Sequence, residues 1–595
     1  MLSWFSGAYF LTQENSFFGA HLFFFFYALL QSMLEVSLLI LGACLLRRWA
    51  SACVFQMFIG LSFALLLAHY TDFTLLCLMD TSFSYILKFF FGSGVDHLLT
   101  AFLALNMNLT MVCIILSSII LVPLIGIGFY AFTERRIVNK SLRVSLKQLL
   151  IWPLCIGLSL LLLDGFAYPR LNRLAYDKYE KALPLGFAFF SPPKSCCSLK
   201  KALPELRAEE MISAHIEKLP PSQERLPNIY FFIIETLRSD FIKPEVAPNL
   251  FHFANQHIAL PRTFANANYT NLSWFALLHS AFPHQWTQAR DSYKEGAAPL
   301  RALKKLGYKI RIYSSSDLSY FQMQKTLFGE KSQLIDSLEQ YSDLRNLEPC
   351  ERDALAIQSF AKDLENQREG TFFLFFLDST HSEYSFPTNF PLKFTPISDR
   401  ISYLTISKSS PDLDRLKNRY RNSIAYVDFL VGKFLSLLKE KNLYDESIIA
   451  FTGDHGEEFF EEGSLFHGTH LNHYQTAVPI ACKLGSDAWK EKIDQTRTQM
   501  SHVDLLPSIL HYLTKSNDLA PLFDGQSIFS KMKWPYHLSV LQNGPNPPVE
   551  FCLEREGQKV ALRFSDATTA QLLQSHSPDS QEIASQLLEG LEKLR

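Results

Sequence analysis

Excess charge of either sign is missing from this 595-residue chain. Lys and Arg total 56 against 58 Asp and Glu, a formal net charge of −2. Gripping a nucleic-acid backbone takes a basic surplus, so the balance sets that class of function aside. CxxC pairs are also missing, so the ten cysteines form no zinc-finger framework. No internal repeat or low-complexity tract is present, which sets solenoids aside. The N-terminus lacks the basic segment and small-residue cleavage site of a secretory signal, so its first apolar run is not a cleavable leader.

Phenylalanine is abundant, at 51 residues, and apolar residues are unevenly spread. Four runs, about 18–46, 52–79, 107–133 and 147–168, reach the roughly 20 apolar residues that cross a bilayer. A soluble core helix rarely stays apolar all round for that length. Arg47 and Arg48 follow the first run, and Arg135, Arg136, Lys140, Arg143 and Lys147 separate the third from the fourth. Asp72, Asp80 and Asp96 outnumber Lys88 between the second and third. Basic loops stay cytoplasmic, so everything after residue 168 is expected outside a plasma or inner membrane, on the periplasmic side, with the N-terminus also outside. The opening "MLSWFSGAYFL" is too short to span, and a fifth span ahead of it stays open. The runs hold few charges, whereas transport pathways are marked by intramembrane charge, so a transporter is the weaker reading.

Residues 169–226, with "SPPKSCCSLKKALPEL", have connector composition and a helix expected at 205–217, placed along the membrane surface. An external location permits a disulfide, and the adjacent Cys196 and Cys197 suit one bridge member and a bystander. From Asn228 short apolar runs alternate with helical stretches: "NIYFFII", "YKIRIYSSSD", "TFFLFFLDSTH", "SIIAFTGDH" and "VPIACKL". That alternation predicts a mostly parallel sheet covered on both faces, with ligands bound beyond the carboxyl ends of its strands. A terminal β-hairpin is expected over 549–575. The expected division is 1–168 membrane region, 169–226 connector, 227–535 catalytic domain and 536–595 a small β-containing subdomain.

Polar residues gather at those strand ends. Glu235 closes the first strand, followed by Arg238 and Asp240, read as solvated. A carboxylate there can bind a cation, or simply open a turn. Asp454 and His455 end the fourth strand, where a polar turn is the plainer reading and a pair of metal ligands the sharper one. Gly453 and Gly456 let the backbone turn tightly there. The acids Glu457, Glu458, Glu461 and Glu462 read mostly as solvated surface. Thr270 precedes the helical "NLSWFALLHS". Its hydroxyl suits an N-cap, or a nucleophile beside a divalent metal, and Thr263 and Ser273 compete for that role. His381 follows the third strand, while His467 lies in a loop with His470 and His473. A histidine in such a place is commonly structural, and otherwise binds a phosphoryl oxygen or serves as general acid.

In order along the chain, "NIYFFIIETLRSD", the Thr270 segment, "LDSTHSEY", "YRNSIAYVDFLVGKFLSLLKEKNLYDESIIAFTGDHGEEF", "HGT" and "SHVDLLPSIL" resemble the sulfatase-like proteins of the alkaline phosphatase superfamily, over roughly 226–530. The membrane-anchored branch is most similar: phosphoethanolamine transferases, lipoteichoic acid synthases and phosphoglycerol transferases. The resemblance implies an N-terminal transmembrane bundle and an exported α/β domain. It also implies a divalent metal, zinc or manganese, on Glu235, Thr270, Asp454 and His455, with Thr270 as nucleophile. His381 and His467 would face the transferred group, with His470 or His473 as stand-ins for His467.

The implied reaction moves a phospholipid headgroup, such as phosphoethanolamine or glycerophosphate, through phospho-threonine to an envelope glycan or lipid acceptor. A phosphodiesterase or sulfuric ester hydrolase is the alternative, and a non-enzymatic envelope-lipid sensor a further one. The formylglycine motif C/S-x-P-S-R is absent: Thr270-Asn271-Leu272-Ser273-Trp274 stands there. Threonine cannot give that aldehyde, which argues against desulfation by that route.

Overall fold

A computed structural model describes residues 2–12, 18–79, 82–83, 109–137, 146–167, 179–188, 199–200, 205–219, 226–344, 346–364, 370–397, 406–494, 496–532, 537–542, 549–555, 558–564 and 569–575. The chain divides into two compact units, Met1–Lys194 and Ser195–Arg595. Asp80, Lys88, Asp96, Lys140, Arg143, Cys196, Cys197 and much of the expected connector lie outside the described residues.

The first unit contains helices α1 (Leu2–Thr12), α2 (Phe18–Trp49), α3 (Ala52–Met79), α4 (Leu109–Ile137) and α5 (Leu146–Ala167). The last four are long and apolar enough to cross a membrane. They leave Leu121, Ile125, Trp152 and Leu154 exposed, surface that suits lipid rather than water. Tyr9, Phe10, Phe24, Tyr27, Leu160 and Tyr179 make the interior. Two polar pairs join its helices: Tyr27 donates to the buried Asp164 at 3.0 Å, and His69 Nε2 lies 3.0 Å from Glu35.

The second unit is built on a six-stranded sheet: β1 (Ile229–Ile234), β2 (Lys309–Ser314), β3 (Ser337–Gln340), β4 (Thr371–Leu377), β5 (Ile448–Gly453) and β6 (Ile480–Lys483). The order is β6-β5-β1-β4-β2-β3, with β6 antiparallel at one edge and all other pairings parallel. Central strands of such a sheet are covered on both faces, which is why β1, and β4 after Thr371, are apolar and both strands are wholly buried. Much of the phenylalanine goes here. Phe232 on β1 stacks on Phe375 of β4 at 4.3 Å and on Phe451 of β5 at 4.8 Å. Each such ring pair adds about 0.5–1.5 kcal/mol beyond its burial, so β5, β1 and β4 are welded at their middles.

Five helices place the site: α6 (Pro248–Gln256), α7 (Thr270–His279), α8 (Pro349–Asp363), α9 (Pro411–Glu440) and α10 (His502–Thr514). Asp428, inside α9, explains the "YVDFL" pattern. Its buried carboxylate accepts from Leu250 N (2.8 Å) and Asn249 N (3.2 Å), the free amides at the start of α6. The expected helix of the connector spans Glu209–Ile216 and buries Ile212 and Ile216. It packs against other parts of the second unit. Glu209 accepts from the amides of Lys294 and Glu295, and Arg207 pairs with Asp524 at 2.7 Å.

Beyond the main sheet, β7 (His537–Gln542), β8 (Val549–Arg555), β9 (Gln558–Phe564) and β10 (Thr569–Ser575) form an antiparallel meander, with Leu199–Lys200 pairing at its β10 edge. The expected hairpin is its centre. Cys350, Cys482 and Cys552 are buried free thiols.

His279, at the end of α7, is buried and donates Nε2–H to Thr326 O at 3.0 Å. Burial pushes its pKa down to about 4. The unfolded chain takes up this proton near the ordinary pKa of about 6.5, so the stability contribution is full above that pH. It declines as pH falls toward 4, by about 1.4 kcal/mol per unit. Hydrogen exchange of the α7 amides at pH 7 and pH 5 is expected to show that loss, and His279→Gln to flatten it.

Candidate active site

The site stands at the carboxyl ends of β1, β4 and β5, three adjacent strands. Glu235 follows β1, Asp378 and His381 follow β4, and Asp454 and His455 follow β5. The ligand atoms of Glu235, Asp454 and His455 lie within 4.8 Å of one another. Those of Glu235, His381 and His467 are equally close, so Glu235 is common to two sets. Thr270, the first residue of α7, donates its hydroxyl to Glu235 Oε1 at 3.2 Å. Tyr269 occupies the cap position, so the Thr270 hydroxyl is not spent on capping.

Its competitors are committed elsewhere. Thr263 donates to Val478 O at 2.5 Å, and Ser273 donates to Ala267 O at 3.2 Å. His467 rather than its neighbours reaches the cluster. Its ring lies 4.3 Å from that of His455 and 5.7 Å from that of His381. His473 is exposed, with its ring against Phe264 and Tyr474, and His470 hangs by its amide from Gln475. Neither belongs to either metal-competent set.

Orientation of the ligands comes from hydrogen bonds that use their other atoms. Asp454 Oδ1 accepts from Thr236 N (2.9 Å) and His455 N (2.8 Å). His455 donates Nδ1–H to Gly456 O (3.0 Å), which leaves the lone pair on Nε2. Asp454 Oδ2 and His455 Nε2 are then buried with no hydrogen-bond partner, 3.5 Å apart. Buried polar atoms are rarely left so. These two atoms with Glu235, a second buried acid, fit a hard or borderline divalent cation in donor type and charge. Electrostatics agrees: burial, then Asp454, hold the Glu235 carboxyl well above its ordinary range. Burial, then Asp353, push Asp378 up to about 7. Burial, then His467 and His455, push His381 down to about 3, so its imidazole is neutral at pH 7.

Several contributors were not legible in the sequence. Thr236 has φ +53, an uncommon conformation for a β-branched residue. It is held there by Thr236 Oγ1–H to Thr380 O (2.5 Å), by Tyr420 O–H to Thr236 O (2.6 Å), and by the bond to Asp454. Strain kept in this way commonly accompanies a site. Thr380 returns a hydroxyl bond to Glu235 O, tying β4 to β1. Asp353 on α8 accepts the amides of Asp378 (2.9 Å) and Ser379 (3.0 Å) and so fixes the His381 loop.

Two surface readings are overturned. Arg238 is only 2% exposed. It pairs with Asp240 at 2.7 Å and Glu461 at 3.0 Å, and donates to Glu457 O at 2.8 Å. Glu457 and Glu458 are fully buried. Glu457 Oε1 accepts from His467 Nδ1–H at 3.0 Å, which orients that ring. Its place two residues past His455 was the available signal. Gly453 and Gly456 act by close approach, since neither has positive φ. A Cβ would stand 2.3 Å from Leu237 O at Gly453 and 2.1 Å from Tyr474 O at Gly456.

Residues 227–515 match the family model described as Sulfatase. That span is a little under half of the chain, and over it the chain is similar to sulfatases. Among curated relatives, a phosphoethanolamine transferase EptA of Helicobacter pylori is 26% identical over 268 residues, 43% of this chain and 46% of that protein. The Escherichia coli K12 protein of that name is 33% identical over 111 residues, 18% of this chain and 19% of its own. The chain thus matches less than half the length of these curated relatives. Among solved structures, the integral membrane lipooligosaccharide phosphoethanolamine transferase A of Neisseria meningitidis is 16% identical, with a TM-score of 0.49, covering 87% of this chain and 95% of that one.

Gly456→Ala in this sulfatase-like domain forces the backbone apart beside two candidate ligands, Asp454 and His455. Overpacking of this kind costs about 1–3 kcal/mol. A lower unfolding temperature and lower metal content by elemental analysis are expected; no change in either would contradict the close-approach role.

Proposed function

We propose that this chain is a membrane-anchored, metal-dependent phosphoryl-group transferase. It moves a phospholipid headgroup such as phosphoethanolamine to an envelope glycan or lipid through a phospho-threonine intermediate. The observation that carries the reading is Thr270: a hydroxyl at a helix start, 3.2 Å from Glu235, beside the buried, unpartnered Asp454 Oδ2 and His455 Nε2. Phosphoethanolamine transferases among the relatives support the headgroup. The four apolar helices support a donor that resides in the bilayer, and the basic loops support a catalytic domain on the periplasmic side.

Glu235, Thr270, Asp454 and His455 would hold a divalent cation, zinc or manganese. When bound, such an ion supplies positive charge that makes a hydroxyl more acidic and offsets charge on phosphoryl oxygens. The residues supply the rest. The start of α7 presents Thr270 Oγ1 among free backbone amides that favour a phosphate ester. Thr270 passes its hydroxyl proton to Glu235, to which it already donates, and attack of Oγ1 forms the P–O bond to threonine and breaks the P–O bond to the lipid alcohol. His381, neutral at pH 7, donates a hydrogen bond to a phosphoryl oxygen. His467, oriented through Nδ1 by Glu457, presents Nε2 to donate a proton to the departing alkoxide. The acceptor hydroxyl gives its proton to His467 Nε2 and attacks phosphorus, the P–O bond to threonine breaks, and Thr270 recovers its proton from Glu235. Neutral His381 suits a pocket that takes one phosphoryl group near a cation without adding further charge.

Full-length protein in detergent, incubated with phosphatidylethanolamine, is expected to gain mass on Thr270 equal to the headgroup phosphate ester. Thr270→Ala should lose the adduct and lower turnover by roughly a thousandfold or more, the scale set by loss of a covalent nucleophile. Chelation followed by zinc or manganese should remove and restore activity. Turnover that survives the Thr270 change would sink the covalent route, and water as acceptor would make the enzyme a phosphodiesterase. A phosphatase reporter fused after residue 168 should be active outside the cell membrane.

A further inference from the structure

The acids after His455 lead to a second buried polar group. Glu458 is completely buried and accepts four N–H groups. Oε1 takes Glu462 N (2.8 Å) and Ser464 N (3.0 Å), and Oε2 takes Asn472 Nδ2 (2.5 Å) and Gln475 Nε2 (2.9 Å). Gln475, also completely buried, sits at the centre. Its Nε2 donates in addition to Thr469 Oγ1 at 2.9 Å. Its Oε1 accepts from Asn268 Nδ2 (2.9 Å), Thr469 N (3.2 Å) and His470 N (3.2 Å). Asn268 lies two residues before Thr270. It also donates Nδ2–H to His470 O (3.0 Å) and accepts Gly468 N at its own carbonyl (3.0 Å).

The loop these bonds hold does not set its own shape. Phe466 (φ +74) and Gly468 (φ +78) place left-handed backbone on both sides of His467. A non-glycine residue there is disfavoured, so the conformation must be imposed by surroundings. Side chains that impose it are buried where unmade bonds cost most, which makes the network all-or-none.

We propose that Gln475 is a positioning residue for the transfer reaction: it locks the loop carrying His467 to the loop carrying Thr270, so that the leaving-group histidine keeps register with the nucleophile. This rests on the assignment of Thr270 and His467 in the proposed transferase. Gln475 touches no reacting atom. It acts through Thr469, His470 and Asn268, and sets where His467 Nε2 stands relative to Thr270 Oγ1. Side-chain misplacement near 1 Å is worth about a hundredfold in rate, a large effect for a residue outside the cluster.

The test compares full-length wild type, Gln475→Leu, Thr469→Val, His467→Ala and the two double variants with His467→Ala, assayed on phosphatidylethanolamine in mixed micelles. Gln475→Leu is expected to lower kcat by about tenfold to a hundredfold while KM changes less than about twofold. In the His467→Ala background the same change should cost less than about twofold more, because the residue it acts through is gone. Fully additive losses would overturn the proposal, since a general structural defect is indifferent to His467. Hydrogen exchange supplies a readout independent of turnover. The amides of Gly468, Thr469 and His470 should exchange at least about tenfold faster in Gln475→Leu, with β5 unchanged. Unchanged loop protection, or equal loss across β5, overturns the lock. If wild type fails to turn over phosphatidylethanolamine, the transferase reading falls while the exchange result still decides the lock. Thr469→Val, which removes only one hydroxyl, carries the same tests should Gln475→Leu not fold.

Discussion

One carboxylate oxygen, Asp454 Oδ1, organises the site. By accepting Thr236 N and His455 N it ties the ends of β1 and β5 together and turns its own Oδ2 toward Glu235. The bond demands Thr236 in a left-handed conformation, which in turn demands Tyr420, Thr380 and the close passage of Gly453 under Leu237. Each bond is worth only about 1 kcal/mol net, but leaving any partner unmet in this buried place costs about 1–3. The arrangement therefore holds together or fails together. Acids are crowded in the space it encloses, and Glu235 and Asp378 stay protonated more readily than in water as a result. That unfavourable crowding is the electrostatic counterpart of a cation site.

Much of the architecture could be read because its cause is periodic. Runs of apolar residues near 20 long meant membrane-competent helices, and six-residue apolar runs ending in polar residues meant buried parallel strands. Glu235, His381, Asp454 and His455 were visible by that rule, as polar residues just past strand ends. Thr270 was visible as the hydroxyl before a helical stretch. Choosing it over Thr263 and Ser273 needed the structure, because only three dimensions show which hydroxyls are bound to carbonyls.

Charge misled where burial is compensated. Arg238, Glu457 and Glu458 look like surface on composition, yet they are enclosed by partners that lie from 2 to more than 200 residues away. A single sequence carries no period for such bonds. Glycine misled differently: Gly453 and Gly456 were read as turning residues, whereas they are places where another strand of backbone passes too close for a Cβ. Both errors share one origin, the density of contacts around the ligands, which no local rule encodes.

The phenylalanine row through β5, β1 and β4 has a consequence for the site above it. Neighbouring strands in a sheet stand about 4.8 Å apart, and the rings of Phe451, Phe232 and Phe375 keep them there. Asp454, Glu235 and Asp378 leave from these three strands, so the width of the reactive cleft is metered in strand spacings. Loops such as those bearing Thr270 and His467 are free to vary in length and content without disturbing that ruler. The sheet fixes the gauge of the chemistry, and the loops decide what travels on it.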